Sequence, residues 1–318
     1  MADMDHTSIQ RAADLIEDAD ALVVAAGAGM GIDSGLPDFR GPGGFWAAYP
    51  ALGRRGLEFY EVASPRTFET DPALAWGFYG HRLALYRNTT PHAGFGIVKS
   101  WGDRMFQSCR VFTSNVDGQF QGAGFSDDAI TECHGSIHHL QCSRPCCGDV
   151  WLAADFAPLV DDETCTLVND PPLCPWCGAI ARPNIMMFGD MGWIDRRSKR
   201  QEADLRRWVD KATRIVVIEL GAAQPFLRCG TSAMRGWSIM GRGWFASTRK
   251  SRQCLRSTMF QLLGRRWLHC RPFRRHWLDG CSSCALRHLN AAPAGMAVKF
   301  DLLRGRPEDV DAEASSWR

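Results

Sequence analysis

Two cysteine pairs in the middle of the chain have the spacing of a metal site. Cys174 and Cys177 are separated by two residues, a spacing that presents two thiolates to one tetrahedral ion. Cys142 supplies a second pair with either Cys146 or Cys147, and the spacing leaves both choices open. Four sulfur ligands close such a site to water, so the sequence predicts a structural zinc ion. The alternative, free buried thiols, fits the other cysteines nearby: Cys109, Cys133 and Cys165.

A glycine-rich turn near the N-terminus has the composition of a phosphate-binding loop. Gly27, Ala28 and Gly29 follow a short apolar run, and glycines there allow the backbone to approach a pyrophosphate. A purely structural turn is the alternative, but it does not require the acidic, aromatic and basic residues that come next: Asp38, Phe39 and Arg40.

A histidine and two polar residues complete the set that could do chemistry. Asn115 and Asp117 follow a second apolar run, and His134 lies just before the cysteine-rich segment. An imidazole has an ordinary pKa near ~6.5, which suits a general base at neutral pH. A lone histidine is more often structural, the interpretation that fits His138 and His139.

In order along the chain, these strings resemble the sirtuin family. The first matching motif is residues 27–40, and the resemblance as a whole covers about residues 8–222. It continues through three further motifs: Thr113-Ser114-Asn115-Val116-Asp117, His134-Gly135, and Arg182-Pro183-Asn184 with Phe188-Gly189-Asp190. The chain departs from the family pattern at Gly31, Ser114 and Asp190, departures that concern cofactor contacts and substrate preference more than the type of reaction.

The resemblance implies an NAD-dependent protein-lysine deacylase that transfers the acyl group to ADP-ribose and releases nicotinamide. It implies that His134 deprotonates a ribose hydroxyl and that Phe188 and Gly189 contact the acylated protein substrate. The implied cofactor-binding residues are Gly27, Ala28, Gly29, Asp38, Phe39, Arg40, Ser114, Asn115, Asp117 and Gly221. Two alternatives remain open: NAD hydrolysis or ADP-ribosyl transfer in the same cleft, and an inactive zinc-containing binding protein.

Tyr79 and Arg82 bear on the acyl group. Their Tyr-x-x-Arg spacing looks like the pair with which some sirtuins recognise an acidic acyl group, since a phenol and a guanidinium one helical turn apart can bind a carboxylate together. A core tyrosine beside a surface arginine is the alternative. We therefore expect a preference for succinyl- or malonyl-lysine over acetyl-lysine.

Short apolar runs separated by helical stretches must position these residues. Residues 21–26, 111–113 and 215–218 have the uniform hydrophobicity of parallel strands covered on both faces. The sequence therefore predicts an α/β fold with a Rossmann-like parallel sheet, its ligand lying at the carboxyl ends of the strands. Residues 46–95 and 135–183 would form a smaller module of helices and a zinc knuckle, within a catalytic region spanning 1–222.

Residues 223–318 differ in composition from the rest. Residues 220–278 carry 12 Lys and Arg and no Asp or Glu, whereas residues 1–219 carry 20 basic and 29 acidic residues. The sequence predicts no strand here. A basic, Trp-containing nucleic-acid-binding appendage is one interpretation. A frameshift near Ala222 is the other, because permitted codons for Ala223–Gly230 also encode Thr-Ala-Ile-Pro-Thr-Val-Arg two bases on.

Composition favours a globular protein in a reducing compartment. The chain has 318 residues, 45% of them hydrophobic, and no apolar run reaches the ~18 residues needed to span a bilayer. The N-terminus lacks the basic and then apolar layout of a secretory signal. We therefore expect a cytoplasmic enzyme that acts on acylated lysines of proteins and has no membrane partner.

Overall fold

The computed structural model describes residues 6–37, 42–221, 242–248 and 298–304, with side chains from residues 10–37 and 44–221. The helices span His6–Glu17 (α1), Pro42–Ala48 (α2), Pro50–Arg54 (α3), Phe59–Val62 (α4), Pro65–Thr70 (α5), Pro72–Asn88 (α6), Ala93–Gly102 (α7), Gln119–Gly122 (α8) and Arg196–Val209 (α9). The strands span Ala21–Ala26 (β1), Cys109–Thr113 (β2), Ile130–Glu132 (β3), Gly135–Cys142 (β4), Trp151–Leu152 (β5), Val160–Asp161 (β6), Thr166–Leu167 (β7), Ala181–Ile185 (β8), Ile215–Leu220 (β9), Arg242–Thr248 (β10) and Val298–Arg304 (β11). Two 3-10 helices cover Ala28–Ser34 and Asp127–Ala129.

A six-stranded sheet in the order β11-β10-β9-β1-β2-β3 forms the large domain. Strands β1, β2, β3, β9 and β10 are parallel, and β11 runs antiparallel to β10. The chain passes from β1 to β2 on one side, and later places β9 on the other side of β1. The sheet therefore has a switch point between β1 and β9, the kind of position where open α/β sheets bind ligands.

Strand β1 is buried on both faces, which explains its uniform hydrophobicity. Leu22 and Val24 pack on one face in a core that includes Phe95 of α7. On the other face, Val23 packs in a core that includes Leu205 of α9. Burial of both faces removes the alternating pattern of a half-exposed strand. The expected Rossmann-like α/β architecture is thereby confirmed.

The smaller module has a core built jointly by its two chain segments. Trp76 and Phe78 of α6 pack in one cluster with Ile137 and Leu140 of β4. The Trp76 indole N–H donates to the Ala181 carbonyl at 2.9 Å. The segment 135–183, which has too little periodicity to predict strands, forms a three-stranded sheet in the order β5-β4-β8. Its strands depend on α6 for much of their apolar contact, which is why the segment's own pattern is weak.

The expectation that residues 223–318 contain no strand is wrong for two segments. Strand β10 pairs in parallel with β9 from Trp244 opposite Val216 to Thr248 opposite Leu220. Strand β11 then pairs with β10. Backbone pairing requires only an extended segment beside a free edge, and that edge belongs to β9. None of the described helices is long and apolar enough to cross a membrane.

Candidate active site

Two glycines bring the carboxyl ends of β1 and β9 into contact. The Gly29 amide donates to the Gly221 carbonyl at 2.9 Å. A Cβ atom on Gly29 would lie 2.7 Å from the Gly221 Cα, and one on Gly221 would lie 2.1 Å from the Met30 nitrogen. Gly221 also has a φ of +64°, which favours glycine. A backbone-lined turn, Ala28–Ser34, therefore lies at the switch point of the sheet, and we call this segment the β1 turn.

The residues after β2 are bonded to the end of β1. The Ser114 amide donates to the Ala26 carbonyl at 3.1 Å. The Asn115 side-chain amide donates to the Gly27 carbonyl at 3.0 Å, and the Thr113 hydroxyl donates to the Ala26 carbonyl at 3.1 Å. The structure thus brings Ser114 and Asn115 together with the β1 turn, as the parallel-sheet prediction requires.

Asp117 is a buried carboxylate at this edge. Its Oδ1 accepts from the Gln119 amide at 2.9 Å. Desolvation raises the Asp117 pKa to about 6, although the Gln119 hydrogen bond and Arg82 act in the opposite direction. The Asp117 carbonyl lies 2.9 Å from His138 Nε2. His138, which the sequence indicated only as structural, therefore holds the loop that carries Asp117.

His134 lies between β3 and β4 and is largely buried. Burial lowers the pKa of its imidazole, and a hydrogen bond with the Ser114 backbone partly opposes this effect. The His134 carbonyl accepts from the Met186 amide at 3.0 Å. Gly135 follows with a φ of +80°, and a Cβ there would lie 2.0 Å from the Asn184 carbonyl oxygen. The imidazole of His134 is therefore bonded to the residue after β2, and its backbone to the loop after β8.

The loop after β8 carries Phe188 and Gly189. Phe188 is 52% exposed, its amide donates to the Ala63 carbonyl at 3.1 Å, and its ring meets Phe59 edge-on at 5.6 Å. Gly189 has a φ of +67°. An apolar ring is thus presented to solvent close to His134, and the residue after it adopts a left-handed conformation that favours glycine.

A buried polar network that the sequence did not reveal fixes this loop. Arg182 Nη1 and Nη2 donate to the two carboxylate oxygens of Asp190 at 2.8 and 2.9 Å. Asp190 Oδ1 also accepts from the Gly192 amide at 3.1 Å. Gln141 and Asn184 bond to each other at 2.9 Å and to residues of the same loop. Arg182, Asn184 and Asp190 belong to one motif of the sequence, but their types gave no signal that they bond to one another.

Tyr79 and Arg82 are both buried, so Arg82 is not the surface arginine of the alternative interpretation. Arg82 Nε and Nη2 donate to the Tyr86 hydroxyl at 3.0 and 2.7 Å. The Tyr79 ring stacks on Phe68 with a centroid distance of 5.7 Å. Tyr79 also has a core packing role, as that interpretation supposed. A desolvated guanidinium among tyrosine hydroxyls can pair with a carboxylate.

Four of the five candidate zinc ligands form one cluster of cysteines: Cys142, Cys146, Cys174 and Cys177. The Sγ atoms of Cys142 and Cys177 are 3.6 Å apart, as are those of Cys146 and Cys174. All four sulfur atoms lie within 4.8 Å of one another. Ligands about 2.3 Å from a tetrahedral zinc ion stand about 3.8 Å apart, so this set fits zinc. Cys147 is outside the group, which resolves the choice that the spacing left open.

The remaining predicted residues differ in their outcome. Cys109, Cys133 and Cys165 are buried thiols apart from the cysteine group. Three predicted cofactor-binding residues lie outside the described part of the chain: Asp38, Phe39 and Arg40.

The fold and this edge together define an α/β protein with a dinucleotide-type switch point. A solved Sir2 homologue in complex with NAD has this fold, with a TM-score of 0.55 at 22% identity over 75% of this chain and 81% of that chain. The NAD-dependent protein deacylase 1 of Caldanaerobacter subterraneus is 31% identical over 207 residues, 64% of this chain and 76% of its own length. The NAD-dependent protein deacylase 2 of Pyrobaculum aerophilum is 36% identical over 178 residues, 56% of this chain and 62% of its own length.

The family match covers most of the region that holds the site. Residues 27–218 match the Sir2 family. The chain therefore belongs to the Sir2 family, which confirms the resemblance seen in the motifs. The match ends two residues before the end of β9.

Proposed function

We propose that this protein is an NAD-dependent protein-lysine deacylase. The observation that carries the proposal is the position of His134, whose imidazole is bonded to the Ser114 backbone and whose own backbone carbonyl accepts from the Met186 amide. These contacts connect it to both the switch point and the loop of Phe188. A group so placed can move a proton between a ligand at the switch point and a second ligand on the loop.

The residues at the switch point are suited to hold NAD. The β1 turn would offer its backbone to the pyrophosphate at the carboxyl end of β1. The residues that would lie nearest to the pyrophosphate are Gly27, Ala28, Gly29 and Gly221. Asn115 and Asp117 would orient the nicotinamide and ribose, and Ser114 would line the same edge. NAD, when bound, supplies the ribose that accepts the acyl group.

His134 acts as the general base in this proposal. Its lowered pKa leaves the ring neutral at physiological pH, so one ring nitrogen is free to accept a proton. Phe188 and Gly189 would contact the acylated protein chain. Tyr79 and Arg82 would pair with an acidic acyl group, giving a preference for succinyl- or malonyl-lysine.

The cysteine group would hold one zinc ion with a structural role. Four sulfur ligands leave no position for a water molecule, so the ion takes no part in proton transfer. It would instead hold β4 and the segment before β8 together. Residues 1–222 would then form the catalytic region, and β10 and β11 from residues 223–318 would extend its sheet.

Nicotinamide release with and without an acylated peptide tests the activity. A deacylase releases nicotinamide only when the peptide is present. Release without peptide would identify an NAD hydrolase or an ADP-ribosyltransferase acting in the same cleft. If protein that binds NAD or zinc releases no nicotinamide under either condition, a binding role would remain. A succinylated and an acetylated peptide of the same sequence should be assayed in parallel.

A further inference from the structure

His92 joins the beginning of α7 to the β1 turn through three hydrogen bonds. Its ring Nδ1 accepts from the Gly94 amide at 3.0 Å, which caps the helix. Its Nε2 lies 3.0 Å from the Met30 carbonyl oxygen. Its backbone amide donates to the Ser34 hydroxyl at 3.0 Å. One residue therefore contacts both the beginning and the end of the β1 turn.

The helix cap selects one tautomer of the neutral His92 ring. Because the Gly94 amide donates to Nδ1, that nitrogen carries no proton. The neutral ring then has its proton on Nε2, where it donates to the Met30 carbonyl. Both ring nitrogens are thus used, one toward the helix and one toward the β1 turn.

The helix side of this contact is rigid. Phe95 of α7 is fully buried against the sheet, and its ring meets the His92 ring at 5.0 Å. A Cβ on Gly94 would lie 2.4 Å from His92 Cε1, so the ring occupies the space that a larger residue at 94 would need. The imidazole therefore has a fixed position from which to hold its partners.

The β1 turn, by contrast, is a short 3-10 helix of seven residues. Such helices have poor hydrogen-bond geometry and depend on their surroundings. The turn is bonded to β9 through Gly29 and closed at its end by the Leu36 amide, which donates to the Gly31 carbonyl at 3.2 Å. The Met30 carbonyl and the Ser34 hydroxyl are the groups through which α7 can orient it.

We propose that His92 is a positioning residue for NAD, acting through the β1 turn. This inference rests on the proposed function, since it assumes that the β1 turn contacts the cofactor. His92 contacts the turn from the beginning of α7 and holds the Met30 peptide in one orientation before the cofactor arrives. Loss of that hydrogen bond leaves the turn freer and makes NAD binding order it at a cost.

The test measures the variant His92→Asn in the full chain. Asparagine is a good helix cap, so His92→Asn keeps the bond from the Gly94 amide but is too short to reach the Met30 carbonyl. Asp71→Ala is the matched control, because Asp71 caps α6 by accepting from the Leu74 amide at 3.0 Å and lies in the smaller module. The first measurement is amide hydrogen exchange across residues 28–36 without NAD. The second is the Kd for NAD by calorimetry.

His92→Asn should speed exchange in residues 28–36, leave residues 93–102 unchanged, and raise the Kd for NAD about three- to tenfold, the scale of one hydrogen bond. Asp71→Ala should lower the melting temperature without either effect. Unchanged exchange in residues 28–36, or faster exchange with an unchanged Kd, would overturn the inference. If neither the chain as written nor the chain with its frame restored near Ala222 binds NAD, the proposed function fails. In that case exchange alone decides whether His92 holds the β1 turn.

Discussion

Burial moves the pKa values of Asp117 and His134 in opposite directions, and both shifts favour the uncharged group. The pKa of the Asp117 carboxyl is raised to about 6, and the pKa of the His134 imidazole is lowered. Desolvation is the largest cause in each case, because an ion near the sheet edge loses its hydration. Perturbed titratable groups of this kind cluster at functional sites. Both residues are therefore candidates for a functional role at this edge of the sheet.

The role of His134 can be tested by activity and by pH. His134→Ala should lower acyl transfer by about 100-fold or more, the usual scale of general-base loss. A base whose folded pKa lies below its ordinary value stays unprotonated to lower pH. We therefore expect kcat/KM of the wild type to fall on acidification at a lower pH than an ordinary imidazole would require. His139→Gln is the control, and near-normal turnover of His134→Ala would remove His134 from this role.

Asp117→Asn should change stability in a pH-dependent way. A carboxyl with a raised folded pKa binds more protons in the folded than in the unfolded chain between about pH 4 and 6, so the wild type loses stability as pH rises through that range. The difference between 3.8 and about 6 corresponds to about 3 kcal/mol at neutral pH. Asparagine avoids this cost and still accepts from the Gln119 amide. Urea unfolding at pH 4.5 and 7.5 should show that the free energy of unfolding of the variant, relative to that of the wild type, is larger at the higher pH. An equal difference between the two proteins at both pH values would contradict the prediction.

Tyr79 and Arg82 give a prediction about the acyl group. Tyr79→Phe and Arg82→Met should each weaken activity on succinyl-lysine more than on acetyl-lysine, because only succinyl-lysine offers a carboxylate. A charge-assisted hydrogen bond contributes about 1.5–3 kcal/mol, so the ratio of kcat/KM values should move by about tenfold or more. Arg87→Met is the control on the same helix, since Arg87 donates to the Phe156 and Ala153 carbonyls. Equal losses on both substrates would indicate a packing role alone.

Among the elements, strand β4 connects the three parts of the candidate site. His134 lies directly before it, Gln141 near its end fixes the loop of Phe188, and Cys142 at its end belongs to the cysteine group. A metal ion bound at the end of β4 can therefore affect the loop of Phe188, and also His134 at the beginning of the strand. Because the smaller module has short strands and a shared core, its order should depend on the ion.

The cysteine variants test this dependence with a closely matched pair. Cys146→Ser should lose the zinc ion and lower solubility, because it removes one of four ligands. Cys147→Ser should keep about one zinc per chain, since its sulfur lies outside the group. Elemental analysis of both purified variants gives the answer. Equal zinc content in the two, or no zinc in carefully prepared wild type, would contradict the assignment.

At the scale of the whole molecule, the change in composition after Gly221 falls beside the switch point. The family match ends at residue 218, and the acid-free stretch begins two residues later. A Sir2-type sheet needs a neighbour for β9, and β10 takes that place. The Thr-Ala-Ile-Pro-Thr-Val-Arg segment encoded by the alternative codons would follow soon after Gly221, whose carbonyl accepts from the Gly29 amide of the β1 turn. The reading frame near Ala222 therefore bears directly on the cofactor edge.

We predict that the chain as written binds NAD weakly and that restoring the frame near Ala222 strengthens binding by orders of magnitude. The sirtuin resemblance implies a loop at this place that contacts the ribose of the cofactor. Restoring it would regain several hydrogen bonds at about 0.5–1.5 kcal/mol each. Resequencing the gene comes first, followed by calorimetry on both proteins. Micromolar NAD binding and a cooperative melt by the 318-residue chain, with its frame confirmed, would show that the tail is a genuine domain and that the frameshift hypothesis is wrong.

Several features of the fold and of the site followed from local patterns. The apolar run at residues 21–26 predicted β1, since full burial on both faces requires uniform hydrophobicity. The two-residue spacing of Cys174 and Cys177 predicted that their thiols converge, because that geometry is set within one turn of chain. The order of the motifs identified the family. These features are fixed by neighbours in sequence, so they can be read without the fold.

Other features depended on contacts between distant segments. Cys146 rather than Cys147 joins the group because β4 and the segment before β8 place their sulfur atoms together. Arg182 and Asp190 form their pair, and His92 reaches the Met30 carbonyl 62 residues away, only once the chain has folded. The pKa of Asp117 rises because tertiary packing removes water from it. Sequence alone thus determined the family and the local elements, whereas desolvation and long-range hydrogen bonding, which exist only in the packed molecule, decided how the site is held.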